Sequence, residues 1–279
     1  MYRGMKLKSA ISAAVVALAS FAAPAFSGSG MPPAPEDVVK IDVLPGWRDA
    51  SGHHVAALRI RLAEGWKTYW RAPGEAGIPP SLNWQGSGNL SAVQFHWPVP
   101  DVFTSGGVQS IGYAHELVLP MTLVPKMADK PISLSGNVNL GVCLDVCMPM
   151  DAKIAVELPA QGAGSKAPIK QALRQRPDTA DEAGLRRAVC DVEPTKDGLR
   201  VTVRMDLPKL GPNEVVVVET ADPSVWVSPR MTKRQGNALI TVADLVPGSG
   251  KSILLNRSDL RMTVLAAGRG VDIRGCTGG

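Results

Sequence analysis

Long apolar runs are scarce in this chain of 279 residues. Beyond residue 27 none is long enough to cross a bilayer, because the most apolar later stretch, Val215 to Val218, is broken by Glu219 and a span needs about 20 residues. Runs of Lys and Arg interleaved with aromatics are also missing, so a nucleic-acid partner has no support. Histidine is rare, with four residues, and cysteine equally so, with Cys143, Cys147, Cys190 and Cys276. What the chain has in quantity is 28 Gly and 23 Pro among many Val and Thr, the composition of short strands and turns.

The first 27 residues read as a signal peptide. Arg3, Lys6 and Lys8 make a basic start, Ile11 to Ala23 is apolar, and Ala23-Pro24-Ala25 is an A-x-A cleavage site. The expectation is a soluble, exported protein of the periplasm with no membrane span after cleavage. Three of the 30 basic residues fall in this segment, which leaves 27 against 25 acidic ones. Export puts the cysteines where disulfides persist.

Residues 28–35 read as a flexible lead-in. From 36 to 160, runs such as His54–Leu62, Leu117–Val124, Ile132–Leu140 and Lys153–Leu158 are separated by Gly/Pro clusters at 73–80, 86–88 and 105–107. Strands this short and this regularly punctuated predict an antiparallel β-sandwich. Residues 161–184 read as a linker with one short helix, Pro168 to Arg176, which has Pro at its start and Pro177 as its stop. A second, smaller β domain is expected over 185–279, with strands at Leu199–Met205, Glu214–Glu219, Ala238–Val242 and Arg261–Ala266. Asp197-Gly198 and Gly236-Asn237 supply its turns.

Four cysteines allow three pairings. Cys190 opens the second domain and Cys276 closes it, so a bond between them would close a loop of 86 residues, worth about 4.5 kcal/mol in the chain-entropy model. That pair reads as structural and leaves Cys143 and Cys147 to each other. In a straight strand, residues four apart lie roughly 13 Å apart, and a disulfide needs Cα atoms within about 7 Å. Leu144, Asp145 and Val146 must therefore turn. So small a ring removes little unfolded-state entropy, on the order of 2 kcal/mol, so chemistry is the better reason for the pair.

Three uses are open to it: exchange with other disulfides, binding of a soft metal, or an inert local staple. Exchange requires an accessible sulfur and a close partner to resolve the mixed disulfide. Asp145 between the thiols opposes a thiolate, and no helix N-terminus stands nearby to favour one, which suits a carrier better than a strong oxidant. The metal reading rests on Cys143, Cys147, Met148 and Met150, soft ligands for Cu(I), with His53, His54, His96 or His115 as a further donor. The same spacing occurs in SCO-type copper chaperones, but their thioredoxin-like fold carries helices after the site, which this β-rich chain lacks. Exchange calls for neither metal nor cofactor.

Gly141-Val-Cys-Leu-Asp-Val-Cys-Met-Pro149 resembles the redox site of the N-terminal periplasmic domain of DsbD-type protein-disulfide reductases, including the ScsB proteins. Three upstream segments agree in order: Ala63-Glu-Gly-Trp-Lys-Thr-Tyr-Trp70 with Arg71-Ala-Pro-Gly74, Trp97-Pro98 through Asp101-Val-Phe103, and Tyr113 with Leu117 to Leu123. The resemblance spans about residues 36–160. It implies an immunoglobulin-type sandwich that takes electrons from a partner's dithiol and passes them to periplasmic disulfide proteins. It implies further that Cys147 exchanges, that Cys143 resolves, that Phe103 is an aromatic cap over the pair, and that Tyr69 and Asp101 stand near it. The spacing of three residues matches the ScsB-like branch, where the enteric type has five. The family's membrane relay and terminal thioredoxin-like domain do not occur in this sequence, so the resemblance implies a separate membrane electron transporter as partner.

Overall fold

Strand after strand alternates buried with exposed residues, and the result is an all-β architecture: an immunoglobulin-like sandwich followed by a smaller one. The computed structural model describes Met1 and residues 34–161, 164, 166–248 and 253–279. The expected signal peptide, nearly all of the lead-in and part of the linker lie outside the described residues. Residues Ala34–Gly279 hold together as one body. No helix among the described residues is long and apolar enough to cross a membrane.

The first sandwich comprises a short helix, α1 (Pro35–Val38), then β1 (Val39–Arg48), β2 (His54–Leu62), β3 (Lys67–Gly74), β4 (Ser81–Asn83), β5 (Leu90–Phe95), β6 (Asp101–Ser105), β7 (Val108–Ala114), β8 (Glu116–Pro125), β9 (Ile132–Cys143) and β10 (Cys147–Leu158). One sheet runs β1-β2-β8-β5; the other runs β10-β9-β3-β7-β6, with β4 also on β9. Trp70, Leu58, Leu119, Met121, Leu123, Leu134 and Val138 fill the space between them and are almost wholly buried. Gly106 and Gly107 both have positive φ, 59° and 83°, the conformation a two-residue hairpin turn requires between β6 and β7.

α2 (Ala167–Arg174) follows, two residues short of the end that Pro177 suggested. Ile169 and Ala172, three apart and so on one face, are buried, and Ile169 packs on Leu44, Val55 and Ala57. That contact explains why β2 is buried on both faces: Ala56, Leu58 and Ile60 face the sandwich core while Val55 and Ala57 lie under the helix.

The second sandwich consists of β11 (Asp178–Thr179), β12 (Arg187–Pro194), β13 (Leu199–Asp206), β14 (Val215–Glu219), β15 (Val225–Gln235), β16 (Ala238–Pro247), β17 (Arg261–Ala266), β18 (Arg269–Arg274) and β19 (Thr277–Gly278). Its sheets run β11-β18-β17-β14 and β15-β16-β13-β12-β19. Val201, Val203, Met205, Leu239, Met262, Val264 and Ile273 form its core. Cys190 on β12 is bonded to Cys276, with Cα atoms 5.8 Å apart, which ties the last residues to that strand.

The two sandwiches meet where β14 and β17 reach β3. Val217 and Leu265 join the core of the first sandwich. Arg71 grips Glu219 with two hydrogen bonds of 3.0 and 2.9 Å, reaches Thr263 Oγ1 at 3.1 Å, and stacks its guanidinium 3.8 Å over the Trp70 ring.

Candidate functional site

Strands β9 and β10 form one long hairpin, in register from Leu158↔Ile132 to Cys147↔Cys143. Its closing pair is the disulfide. The Cα atoms of Cys143 and Cys147 are 4.1 Å apart, and Leu144, Asp145 and Val146 make the turn, with the Leu144 N–H donating to the Val146 carbonyl at 3.3 Å. β10 begins six residues earlier than the run Lys153–Leu158 suggested. Pro149 is tolerated because β10 is an edge strand, where a missing N–H costs no ladder bond.

Residues directly opposite across an antiparallel ladder share a face. Cys143 is opposite Lys67, Lys67 is opposite Ala114, Tyr69 is opposite Gly112, and Gly112 is opposite Asp101. Cys143, Lys67, Tyr69, Asp101 and, two residues on, Phe103 therefore project from one face of this sheet. The other face carries Val142, Thr68, Trp70 and Tyr113 into the core. Gly112 leaves the middle of the site bare, and a Cβ there would collide with the Thr68 carbonyl.

The two sulfurs are not equivalent. Cys143 is 3% exposed, whereas Cys147 is open to solvent. The Tyr69 hydroxyl donates to Cys143 Sγ at 2.8 Å and lies 3.3 Å from Cys147 Sγ. Tyr69 is itself buried, and that burial pushes its hydroxyl pKa up. Gly77 presses the following loop onto the ring, since a Cβ there would strike both Tyr69 and Pro73. Leu144 folds over Gly65, and Val146 at the tip is 73% exposed. A dithiol here would thus have one sulfur facing solvent among apolar side chains and one held beneath a phenol.

Phe103 sits within β6, half-buried and opposite Ser110, and the Lys67 ammonium lies 4.9 Å from its ring centroid. Asp101 is exposed at the start of the same strand. Sequence reasoning assigned no part to Lys67. It lies inside the segment that carried the resemblance, but only the β3–β9 register shows that it faces Cys143.

Of the soft ligands named with the cysteines, the two methionines do not join them. The strand period puts Met148 and Met150 on the opposite face from Cys147, and both pack against the core. His54 is buried with Nε2 on the Pro45 carbonyl, and His96 bonds Thr122 Oγ1 at 2.8 Å. Among the described residues no group of three or more His, Cys, Asp or Glu could hold a metal.

Residues 34–159 match the family described as thiol:disulfide interchange protein DsbD, N-terminal. No curated protein matches the chain. Among solved structures, it is similar to the N-terminal periplasmic domain of ScsB from Proteus mirabilis, with a TM-score of 0.66 and 23% identity over 89% of this chain and 97% of that one. The reduced DsbD N-terminal domain of Neisseria meningitidis also matches, with a TM-score of 0.29 and 20% identity over 48% of this chain and 92% of that one. The ScsB likeness takes in both sandwiches and establishes the shared fold.

Proposed function

We propose, for a chain whose residues 34–159 match the family of DsbD N-terminal domains, that it is a periplasmic carrier of reducing equivalents working through Cys143 and Cys147. One observation carries the reading: the disulfide closes a hairpin with Cys147 open to solvent and Cys143 buried under the Tyr69 hydroxyl. In-line attack by an incoming thiolate needs an accessible sulfur, and Cys147 supplies it.

The electrons and protons balance as follows. A partner thiolate attacks Cys147 Sγ, the bond to Cys143 breaks, and Cys143 leaves as a thiolate. Its charge develops 2.8 Å from a phenol O–H, and a hydrogen bond to a charged acceptor is about twice as strong as one between neutral groups. Burial keeps that phenol protonated. The partner's second thiol then attacks the mixed disulfide, gives up its proton to the departing Cys147 sulfur, and takes its own partner sulfur back into a disulfide. Two electrons have entered the protein. Running the sequence in reverse against an oxidised periplasmic protein delivers them, with Cys147 attacking and Cys143 resolving.

In this reading Phe103 restricts access to the pair, and Asp101 borders the same face. Cys190–Cys276 is a structural staple and the second sandwich positions partners. A separate membrane electron transporter supplies the reductant. The test is a Cys143→Ser variant offered to a periplasmic extract. It is expected to accumulate mixed disulfides through Cys147, because nothing remains to resolve them. Equal yields of adduct from this variant and from Cys147→Ser would defeat the assignment of roles.

A further inference from the structure

Lys67 stands in the middle of the site without an assigned step in the exchange. Its Cα lies opposite Cys143 on one side and Ala114 on the other, so its side chain leaves the sheet in the same row as the Cys143 sulfur. Among the described residues its ammonium makes one ring contact and no side-chain hydrogen bond or ion pair: it lies 4.9 Å from the Phe103 ring centroid. A cation that serves only solubility does not need an aromatic face. One that serves only as a structural ion pair needs a carboxylate, and none bonds it here. The other cation on this face of β3, Arg71, is held by Glu219.

Building on the exchange reading, we propose that Lys67 is a positioning residue whose ammonium alternates between two partners: the Phe103 ring while the Cys143–Cys147 bond is intact, and the Cys143 thiolate once it is broken. The sulfurs of a disulfide carry no charge. In the oxidised protein the negative face of the ring is therefore the better partner, and the ring is held beside the pair. Reduction by a partner dithiol breaks the S–S bond, and the partner's sulfurs close their own disulfide. The Cys143 thiolate then lies in the row next to Lys67, and attraction between full charges exceeds attraction to a quadrupole. The ammonium moves, the ring is freed, and Cys147 becomes more open in the state that must next attack an acceptor. The remaining titratable groups on elements packed around Lys67 are Asp101 on β6, Asp145 in the hairpin turn, the Tyr69 hydroxyl on β3, His115 after β7 and Glu64 before β3. Of these the carboxylates oppose a thiolate, which leaves its stabilisation to Lys67 and Tyr69.

The experiment compares Lys67→Met, which keeps the stem and loses the charge, with Lys67→Arg in the full chain. Two quantities are read: the rate at which dithiothreitol reduces the oxidised protein, and the thiol titration of Cys143, followed by ultraviolet absorbance in a Cys147→Ser background. Lys67→Met is expected to titrate at higher pH, and its effect on the reduction rate to be about two- to fivefold more accelerating with Phe103 present than in a Phe103→Leu background, the size of one exposed cation–π contact. Lys67→Arg is expected to restore both. In a Phe103→Leu background only the lost charge beside the leaving Cys143 thiolate remains, so Lys67→Met should there slow reduction and still shift the titration. If the wild type exchanges readily but Lys67→Met changes neither quantity, or Arg behaves as Met does, the proposal is overturned. A wild-type disulfide that resists every dithiol overturns the exchange reading itself, a distinguishable result.

Discussion

The asymmetry of the site is built by single residues. Cys143 is kept from solvent and Cys147 is not, although they face each other across one rung of the ladder. The difference comes from Tyr69, whose ring lies under the Gly77 loop and whose hydroxyl reaches Cys143 Sγ. Removing that hydroxyl with Tyr69→Phe leaves the ring in place and strips the leaving thiolate of a donor. Hydrogen bonds to charged groups contribute about 1.5–3 kcal/mol, so exchange should slow by about tenfold or more and the Cys143 thiol should titrate higher. A stopped-flow rate against a small dithiol checks it, and an unchanged rate would remove Tyr69 from the chemistry. Phe103→Ala removes the surface on which Lys67 rests. Reduction by small thiols should then speed up, and the gain should be smaller for a protein dithiol too bulky to profit from the extra space.

At the scale of elements, the hairpin β9–β10 decides where the chemistry sits, and α2 covers the outer face of the β1-β2-β8-β5 sheet. Ile169 is fully buried against Leu44, Val55 and Ala57. Ile169→Ala should cost about 2–4 kcal/mol, seen as a lower urea midpoint with little change in exchange rate, because the helix packs on the sheet away from the disulfide. Replacing both Cys190 and Cys276 with Ser should lower stability by about 4.5 kcal/mol in the chain-entropy model. Exchange by the folded fraction should be unaffected. Much of this layout was legible beforehand. The runs at His54–Leu62 and Arg261–Ala266 coincide with β2 and β17 because their branched apolar residues are bounded by turn residues on both sides. β10 was visible only from Lys153 onward. Its first half contains Pro149 and carries Met148 and Met150 toward the core, a period-2 pattern that means little until β9 supplies the register. The cysteine spacing was plain in the sequence, whereas Lys67 is one lysine among many until the ladder sets it opposite Cys143.

At the scale of the whole molecule, the two sandwiches act as one body because charged groups are buried where they meet. Arg71 is mostly buried, and burial lowers its pKa while Glu219 raises it. Glu219→Gln strips that partly buried guanidinium of its carboxylate, and hydrogen bonds to a charged group contribute about 1.5–3 kcal/mol. The loss should appear as a second, earlier unfolding transition as the sandwiches separate. Nearby, Asp272 lies among Arg261, Arg71 and Arg274. Burial alone would push its carboxyl up, but the hydrogen bonds from Arg261 and the three positive charges outweigh it and hold the pKa below the usual carboxylate value. Glu214 is held down in the same way by Arg234. A carboxylate whose folded pKa lies below its unfolded value of about 4 contributes stability that is complete above the unfolded pKa and disappears as pH falls through the folded one. The urea midpoint should therefore begin to fall below about pH 6.5, where burial keeps His54 and His96 from taking up protons, and fall more steeply below about pH 4 as these carboxylates protonate. An Asp272→Asn variant should be less stable at pH 7 and show a shallower acid decline. Parallel acid curves for wild type and variant would mean that Asp272 titrates alike in both states, and that the arginines around it hold the sandwiches together by packing rather than by charge.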